Sequence, residues 1–484
     1  MRNILTLGIL AAMVPFIAAS QDNHYEFMRM GSRSSILANS GLSRFEDQAA
    51  VIANPATLSF ANNSSFSFNS TAVGLNSINF ENGLGQGFDI KYGTMTVLPT
   101  MAAGVLKPKK NKKDWVLGYS LYHSMHDRLR FSDRNIMQTN VINDVASPGN
   151  ENYLAQYNLS HDLDEVTAVL GLGWNLSDKL ALGISQSFTY RSEELNNTFT
   201  ASAIPLNALT SSVDVVSYST DFYTNYFKVM AITKVGLAWE LEKWNIGLTA
   251  TLPSLGMFGS GTVMGEGSLT NVHPGGDLTK PRASYFASGS AKKEKATYKK
   301  SMALGLGISR PFGNVRLYGA ANYYGAVKNY AIMDPGPADF IQPNTAANEA
   351  VTADFMRVWA GNRSLLNWSL GADWNYKGTR HMLFSFHTDK QFANLDPEEP
   401  GQNLTIKNWD NYHIGVGTQQ TFGQSDWVIG LRYSFAKKDD ARQPYSFDDP
   451  TEGNNLQGEP KTGTVVATSI QLMLSYAFRF KPRS

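Results

Sequence analysis

The chain has no cysteine, which excludes a disulfide framework, a thiolate metal site and a lipoprotein anchor. It has no excess of charge: 42 Lys and Arg stand against 41 Asp and Glu, so bulk electrostatics point to no nucleic acid or other polyanion as partner. After residue 20 no apolar run approaches the roughly 20 residues that a spanning helix needs. The nucleophile elbow G-x-S-x-G, the zinc signature H-E-x-x-H and a phosphate-binding glycine loop are missing as well. With eight scattered His, the chain offers no catalytic constellation, metal site or cofactor site, and it is read as a non-enzyme. His123, His126 and Asp127 are close in sequence, but on a regular strand His123 and His126 point to opposite faces.

What is present starts with a positive Arg2, an apolar stretch from Ile4 to about Phe16, and the small residues Ala18-Ala19-Ser20. Residues 1–20 read as a secretory signal cleaved after Ser20, too short and wrongly flanked for a membrane helix. Beyond it, a two-residue period dominates. Trp427, Ile429, Leu431, Tyr433 and Phe435 point one way while Gly430, Arg432 and Ser434 point the other. The same alternation runs through Ile470, Leu472, Leu474, Tyr476, Phe478 and Phe480. An apolar face opposite a small or polar one fits lipid outside and a polar or narrow lumen inside.

The clearest hairpin joins Val166–Leu176 to Leu180–Tyr190 through Ser177-Asp178-Lys179. Counting such units predicts an all-β fold of about 14 antiparallel strands, near 65–75, 95–106, 115–130, 164–176, 180–191, 224–241, 244–252, 299–309, 315–330, 366–376, 380–389, 410–422, 427–436 and 465–480. Short turns alternate with long polar loops, including 131–163, 192–223, 253–298, 331–365 and 437–464. That asymmetry predicts a transmembrane β-barrel over residues 65–484 of the bacterial outer membrane, with the short turns and both termini periplasmic. Trp115, Trp174, Trp239, Trp244, Trp368, Trp374 and Trp427 fall near strand ends, where amphipathic rings suit a membrane interface. A soluble sandwich or propeller is the alternative. No fixed repeat supports a propeller, and the faces opposite the apolar rows are too rich in Gly, Ala and Ser for ordinary solvated faces.

Residues 21–64 break the strand pattern. Small residues with helical apolar spacing, among them Ala49, Ala50, Val51, Ile52, Leu58 and Phe60, predict short helices packed into the lumen as a plug. The stretch Asp47-x-Ala49-Ala50-x-x-x-Asn54-Pro55-Ala56-x-Leu58 resembles the amino-terminal plug signature of the FadL/TodX family of outer-membrane transporters for hydrophobic compounds, with Thr57 where that family has Gly. The hairpin Gly171–Gly183 and the run Gly247–Ser254 are similar to its barrel hairpins. The resemblance implies a fourteen-stranded barrel with a luminal plug. It also implies capture of a hydrophobic small molecule (a long-chain fatty acid or aromatic hydrocarbon) on outer loops, plug rearrangement and lateral release into the membrane. Asn54, Pro55 and Ala56 are the plug positions it implies, Pro55 fixing φ and Asn54 bonding locally. For capture, Ile204, Leu206 and Leu209 on one loop and Leu255, Met257 and Phe258 on another offer apolar groups.

Two lysine groups stand out. Lys107, Lys109, Lys110, Lys112 and Lys113 crowd one short turn, where they suit a solvated periplasmic turn, a periplasmic protein or anionic headgroups. Lys292, Lys293, Lys295, Lys299 and Lys300 lie where a long loop re-enters the barrel, within reach of outer-membrane lipid and lipopolysaccharide phosphates. A second function fits the same architecture: a non-transporting barrel of the family that uses its long loops to hold a periplasmic or secretion-system protein.

Overall fold

The computed structural model describes residues 24–480 except 27–29, 38, 109–114, 143, 207–210, 274–275, 336–355 and 395–400. The alternating segments become β1 (Ser65–Phe80), β2 (Ile90–Leu106), β3 (Trp115–Thr139), β4 (Glu151–Asn175), β5 (Leu180–Pro205), β6 (Val216–Glu240), β7 (Asn245–Thr251), β8 (Leu255–Val272), β9 (Ala283–Lys295) and β10 (Ala303–Phe312). They continue as β11 (Val315–Tyr324), β12 (Val327–Met333), β13 (Val358–Asn362), β14 (Leu365–Asn375), β15 (Arg380–Asp389), β16 (Gln402–Asn403), β17 (Asn411–Phe422), β18 (Ser425–Arg442) and β19 (Thr462–Arg479). β8 and β9 form a hairpin on the upper part of β6, and β12, β13 and β16 a small separate sheet. The other fourteen strands pair antiparallel in chain order, and β1 bonds both β2 and β19, so the barrel closes. Closure gives the backbone of the first and last strands a partner where lipid offers none.

These are the fourteen strands expected, but several run far past their expected ends. β3, β4, β5 and β6 have 25, 25, 26 and 25 residues, whereas β10, β11, β14 and β15 have 10, 10, 11 and 10. About 9–11 tilted residues cross a bilayer, so one side of the barrel spans and stops while the other rises well above. Segments 131–163, 192–223 and 253–298, read as loops, are therefore largely sheet. The cause is a change of phase. In the lower half of β4 the even positions Leu170 and Leu172 are apolar and exposed, and the odd positions face in as Gly171 and Gly173. In its upper half the odd positions Tyr153, Tyr157 and Leu159 are apolar and buried, while Asn152, Gln156 and Asn158 face out. β5 inverts likewise, from outward Ile184, Phe188 and Tyr190 to inward Leu195, Phe199 and Ala201. Above the inversion the tall wall encloses an ordinary hydrophobic core, into which the β18–β19 connection inserts Tyr445, Phe447 and Leu456. Phe199 stacks on Tyr445 at 4.2 Å and 5°.

At the opposite rim the connections are tight. Phe312 pairs with Val315 and Phe422 with Ser425, leaving two-residue turns whose Gly313 (φ +58°) and Gly423 (φ +59°) supply the left-handed backbone. Of the lysine-rich turn, Lys109, Lys110, Lys112 and Lys113 fall outside the described residues.

The bulge in β3 revises one reading. Ser124 is unpaired between His123↔Val166 and Met125↔Glu165. The extra residue reverses the alternation, and the His123 and His126 rings, expected on opposite faces, meet edge to face at 6.5 Å. They do not share a ligand set: His123 Nδ1 is 2.9 Å from the Pro99 carbonyl, and His126 Nδ1 is bonded to Asp164. No group of metal-ligating residues occurs among the described residues.

Candidate functional site

The residues before β1 lie in the lumen, because they touch inward-facing glycines all around a closed ring. A Cβ on Gly171 would meet Val51 at 2.8 Å, on Gly183 Ala56 N at 2.3 Å, on Gly236 Asn54 Oδ1 at 2.0 Å, on Gly247 the Leu42 carbonyl at 1.6 Å, and on Gly430 Ile36 Cδ1 at 2.1 Å. These glycines explain why the sequence face opposite the apolar rows is so small: the luminal segment needs the space.

Asn54, Pro55 and Ala56 sit where this segment meets β5 and β6. Asn54 is fully buried. Its Nδ2 donates to the Leu42 carbonyl at 2.7 Å and the Leu237 carbonyl at 3.1 Å, and its Oδ1 accepts from Ala56 N at 3.1 Å. One amide thus ties two turns of the segment to each other and to the wall. Pro55 opens the 3-10 turn Pro55–Phe60, where its missing N–H costs nothing, and Ala56 packs on Ala181 and Ala238. Asp47, the other polar member of the motif, accepts from Ser34 N at 2.9 Å, Ser32 Oγ at 3.2 Å and Ala49 N at 3.0 Å. Two wall contacts had no sequence signal: Lys234 Nζ donates to the Ile52 carbonyl at 2.6 Å, and Arg33 pairs with Glu46 at 3.4 Å and with Asp373.

Above the segment lies a luminal cavity of about 280 Å³, lined by Tyr25, Met30, Leu42, Tyr122, Met125, Lys234, Tyr298 and Lys300 among others. Its ceiling is a charge layer at the height of the phase inversion. Arg191, fully buried, donates to Glu165 at 2.9 Å, Glu193 at 2.7 Å and the Tyr226 hydroxyl at 3.0 Å, and stacks over Tyr298 at 4.1 Å. Lys300 reaches Glu165 at 2.5 Å, and His161 Nε2 lies 3.2 Å from Glu193. Neutralisation by opposed carboxylates is what permits a guanidinium there.

The wall itself is incomplete. β2 pairs with β1 along its whole length, from Ile90↔Phe80 to Val105↔Ser65, but with β3 only from Met101↔Tyr122 to Leu106↔Leu117. From the Ser124 bulge upward β3 pairs with β4 alone. Residues 90–99 and 123–139 thus face each other across a gap, spanned by His123 to the Pro99 carbonyl and by the Tyr92 hydroxyl to the Arg128 carbonyl. The gap holds a cavity of about 320 Å³ bordered by Asn76, Thr94, Met95, His126, Arg128 and Trp409. Directly above, Ile78, Phe80, Ile90, Leu129, Phe131 and Ile406 line an apolar cleft of about 80 Å³ that shares Ile78, Tyr92 and Trp409 with it. Neither was anticipated. Pro99 was the available signal, since a proline inside a strand marks an edge.

Of the apolar loop residues singled out, Ile204 and Leu206 are exposed at the upper end of β5, while Leu255, Met257 and Phe258 are exposed at the lower end of β8. Leu209 lies outside the described residues. The two groups are not brought together. Ala203 faces Val216 and Phe258 faces Val229 on β6, a separation of roughly 40 Å at about 3.3 Å per residue.

No protein-family model matches the chain, and no curated protein matches it in sequence. Solved structures do. A Pseudomonas aeruginosa FadL homologue superposes with a TM-score of 0.57 at 12% identity, over 95% of this chain and 100% of that one. The P. putida toluene transporter TodX gives 0.54 at 15% identity, over 94% and 99%. A deltaS2 mutant of the TodX monoaromatic hydrocarbon channel gives 0.58 at 15%, over 93% and 99%. At such identities the likeness is one of fold. Together with the apolar exterior and the closed strand order, it makes this chain an outer-membrane β-barrel with the architecture of the FadL homologue and TodX structures.

Proposed function

We propose that this barrel passes hydrophobic small molecules, of long-chain fatty acid or aromatic hydrocarbon type, from the outer surface into the membrane without chemical change. The observation that carries this reading is the unpaired stretch between β2 and β3, which sets a cavity in the wall between an apolar cleft above and lipid outside. A ligand entering the cleft between Phe80 and Phe131 would gain about 0.8 kcal/mol per buried CH₂, and sideways exit spares it a passage through water. Ile204 and Leu206, at the far rim, would make the first apolar contact. Residues 21–64 would act as the plug, with Asn54, Pro55 and Ala56 as its hinge and Lys234 holding it shut through the Ile52 carbonyl. The two-residue turns would face the periplasm, as would both termini.

Because the chain has no cysteine, the gap can be bridged cleanly. Met95→Cys with Arg128→Cys, joined by a cleavable thiol crosslinker, should lower uptake of a labelled fatty acid or monoaromatic at least tenfold, and cleavage should restore it. Uptake unaffected by the closed linker would overturn lateral release. Absence of any uptake or retained lipid in the wild-type barrel, with a protein co-purifying, would favour the interaction-platform reading.

A further inference from the structure

The lysines of β9 have no role in the pathway above. β9 is bulged at Lys293 (φ +61°), between Lys292↔Thr262 and Glu294↔Gly261. A non-glycine residue in that region is strained. Here it has one clear effect: it reverses the alternation, so that Lys292 and Lys295, three apart and otherwise on opposite faces, are both exposed. Past the strand end Ala296 and Tyr298 are buried and Lys299 is exposed, its ammonium 4.7 Å over the Tyr330 ring. Lys300 faces the other way, into the charge layer. Lys292 and Lys295 thus share one outer face, with exposed Lys293 at the bulge between them and exposed Lys299 just past the strand end.

Their height is fixed by register. Lys295 faces Ser260, and Ser260 faces Phe227. Phe227 packs between Tyr190 at 6.1 Å and Phe258 at 6.5 Å, a row of outward aromatics of the kind that marks a membrane interface. Just below, Leu255, Met257 and Met302 are exposed. By contrast, Arg128 and Arg130 on β3 are matched by Asp162, and Lys437 on β18 by Asp439. Among the described residues no carboxylate lies within ion-pair distance of Lys292, Lys293, Lys295 or Lys299, and Lys295 adds to the positive field at Lys228.

We propose that this face binds the phosphorylated sugar headgroup of an outer-leaflet glycolipid, of the lipid A type. The four lysines neutralise its phosphates as point charges, and Phe227, Phe258 and Leu255 pack against its acyl chains. Solvation alone does not account for a strained bulge that gathers unmatched charge at the aromatic row on one sector of the barrel. The proposal rests on membrane insertion and not on the transport reading.

The test uses the whole folded protein, delipidated in detergent and titrated by native mass spectrometry. Bis-phosphorylated lipid A should bind the wild type at least tenfold more tightly than it binds the quadruple variant Lys292→Gln, Lys293→Gln, Lys295→Gln, Lys299→Gln. The variant Lys437→Gln with Lys438→Gln, on another sector, should bind as the wild type does. Dephosphorylated lipid A should bind the wild type at least tenfold less tightly, an arm that stands even if the quadruple variant does not fold. Equal binding by the folded quadruple variant, equal binding of the dephosphorylated lipid, or saturation by inorganic phosphate that lipid A cannot displace would each overturn the proposal.

Discussion

The lower and upper halves of β4 and β5 are one continuous pair of strands in unbroken register, yet they follow opposite rules. Below about Glu165, apolar side chains face out and glycine, serine and threonine face in. Above it, tyrosine, phenylalanine and leucine face in and asparagine, serine and threonine face out. The backbone is indifferent to the change, since the register Glu151↔Pro205 to Asn175↔Ala181 has no shift. What differs is the solvent on the outer face. The lower half meets hydrocarbon and its interior need only accept a small-residue segment. The upper half meets water and must bury its own apolar surface. Arg191, Glu165 and Glu193 occupy the boundary, too deep for bulk water and too polar for either core.

The sharpest way to break the contrast is at that boundary. Arg191→Leu leaves Glu165 and Glu193 buried without their shared cation and should cost about 3–5 kcal/mol, read as loss of heat-modifiable folded barrel or a lowered urea midpoint. A wild-type midpoint would mean that the layer does not hold the halves together. A smaller effect is expected within one half. Phe199→Ala removes a stacked ring from the upper core and should cost about 3 kcal/mol, with faster amide exchange confined to residues above the layer. Leu172→Ala, in the lower half, trades one apolar contact with lipid for another and should leave exchange unchanged. Equal responses would erase the distinction.

The smallest effect tests the top of the tall wall. Asp144 is held down to about 2 from the usual 3.8 by hydrogen bonds from Ala146 N and His273 and by Arg282, which also pairs with Glu452. A depressed carboxylate contributes stability above its unfolded value and loses it as pH falls through its folded one. The staple between residues 144, 282 and 452 should therefore loosen between about pH 4 and pH 2, raising protease sensitivity near residue 144. Asp144→Asn should be loose already at pH 6 and show no such acid step.

The fourteen lower strands were legible in the sequence because their alternation has one phase, from Leu170 and Leu172 to Trp427, Ile429 and Leu431. The upper strands were not. Near Asp164 the apolar residues pass from even to odd positions, and a reader of periodicity sees the pattern end and infers a loop. The Asn54-Pro55-Ala56 turn stood out through its resemblance to the FadL/TodX plug signature, to which a proline and a capping asparagine add a readable local geometry. Its ties to Leu42, Leu237 and Lys234 are long-range and left no local mark. The gap beside β2 was hidden for a related reason: a missing partner strand alters no residue, and only Pro99 hinted at an edge.

β3 solves the same inversion by another route. On either side of the bulge its apolar positions are mostly odd, outward at Leu121 and inward at Met125, Leu129 and Phe131, because the unpaired Ser124 rotates the chain between them. What β4 and β5 achieve by rewriting many positions, β3 achieves with one extra residue. A single-codon insertion is thus enough to turn a membrane-facing pattern into a water-facing one. Wall height in such barrels can change by discrete insertion events, strand by strand, with no need for gradual hydropathy change along every strand at once.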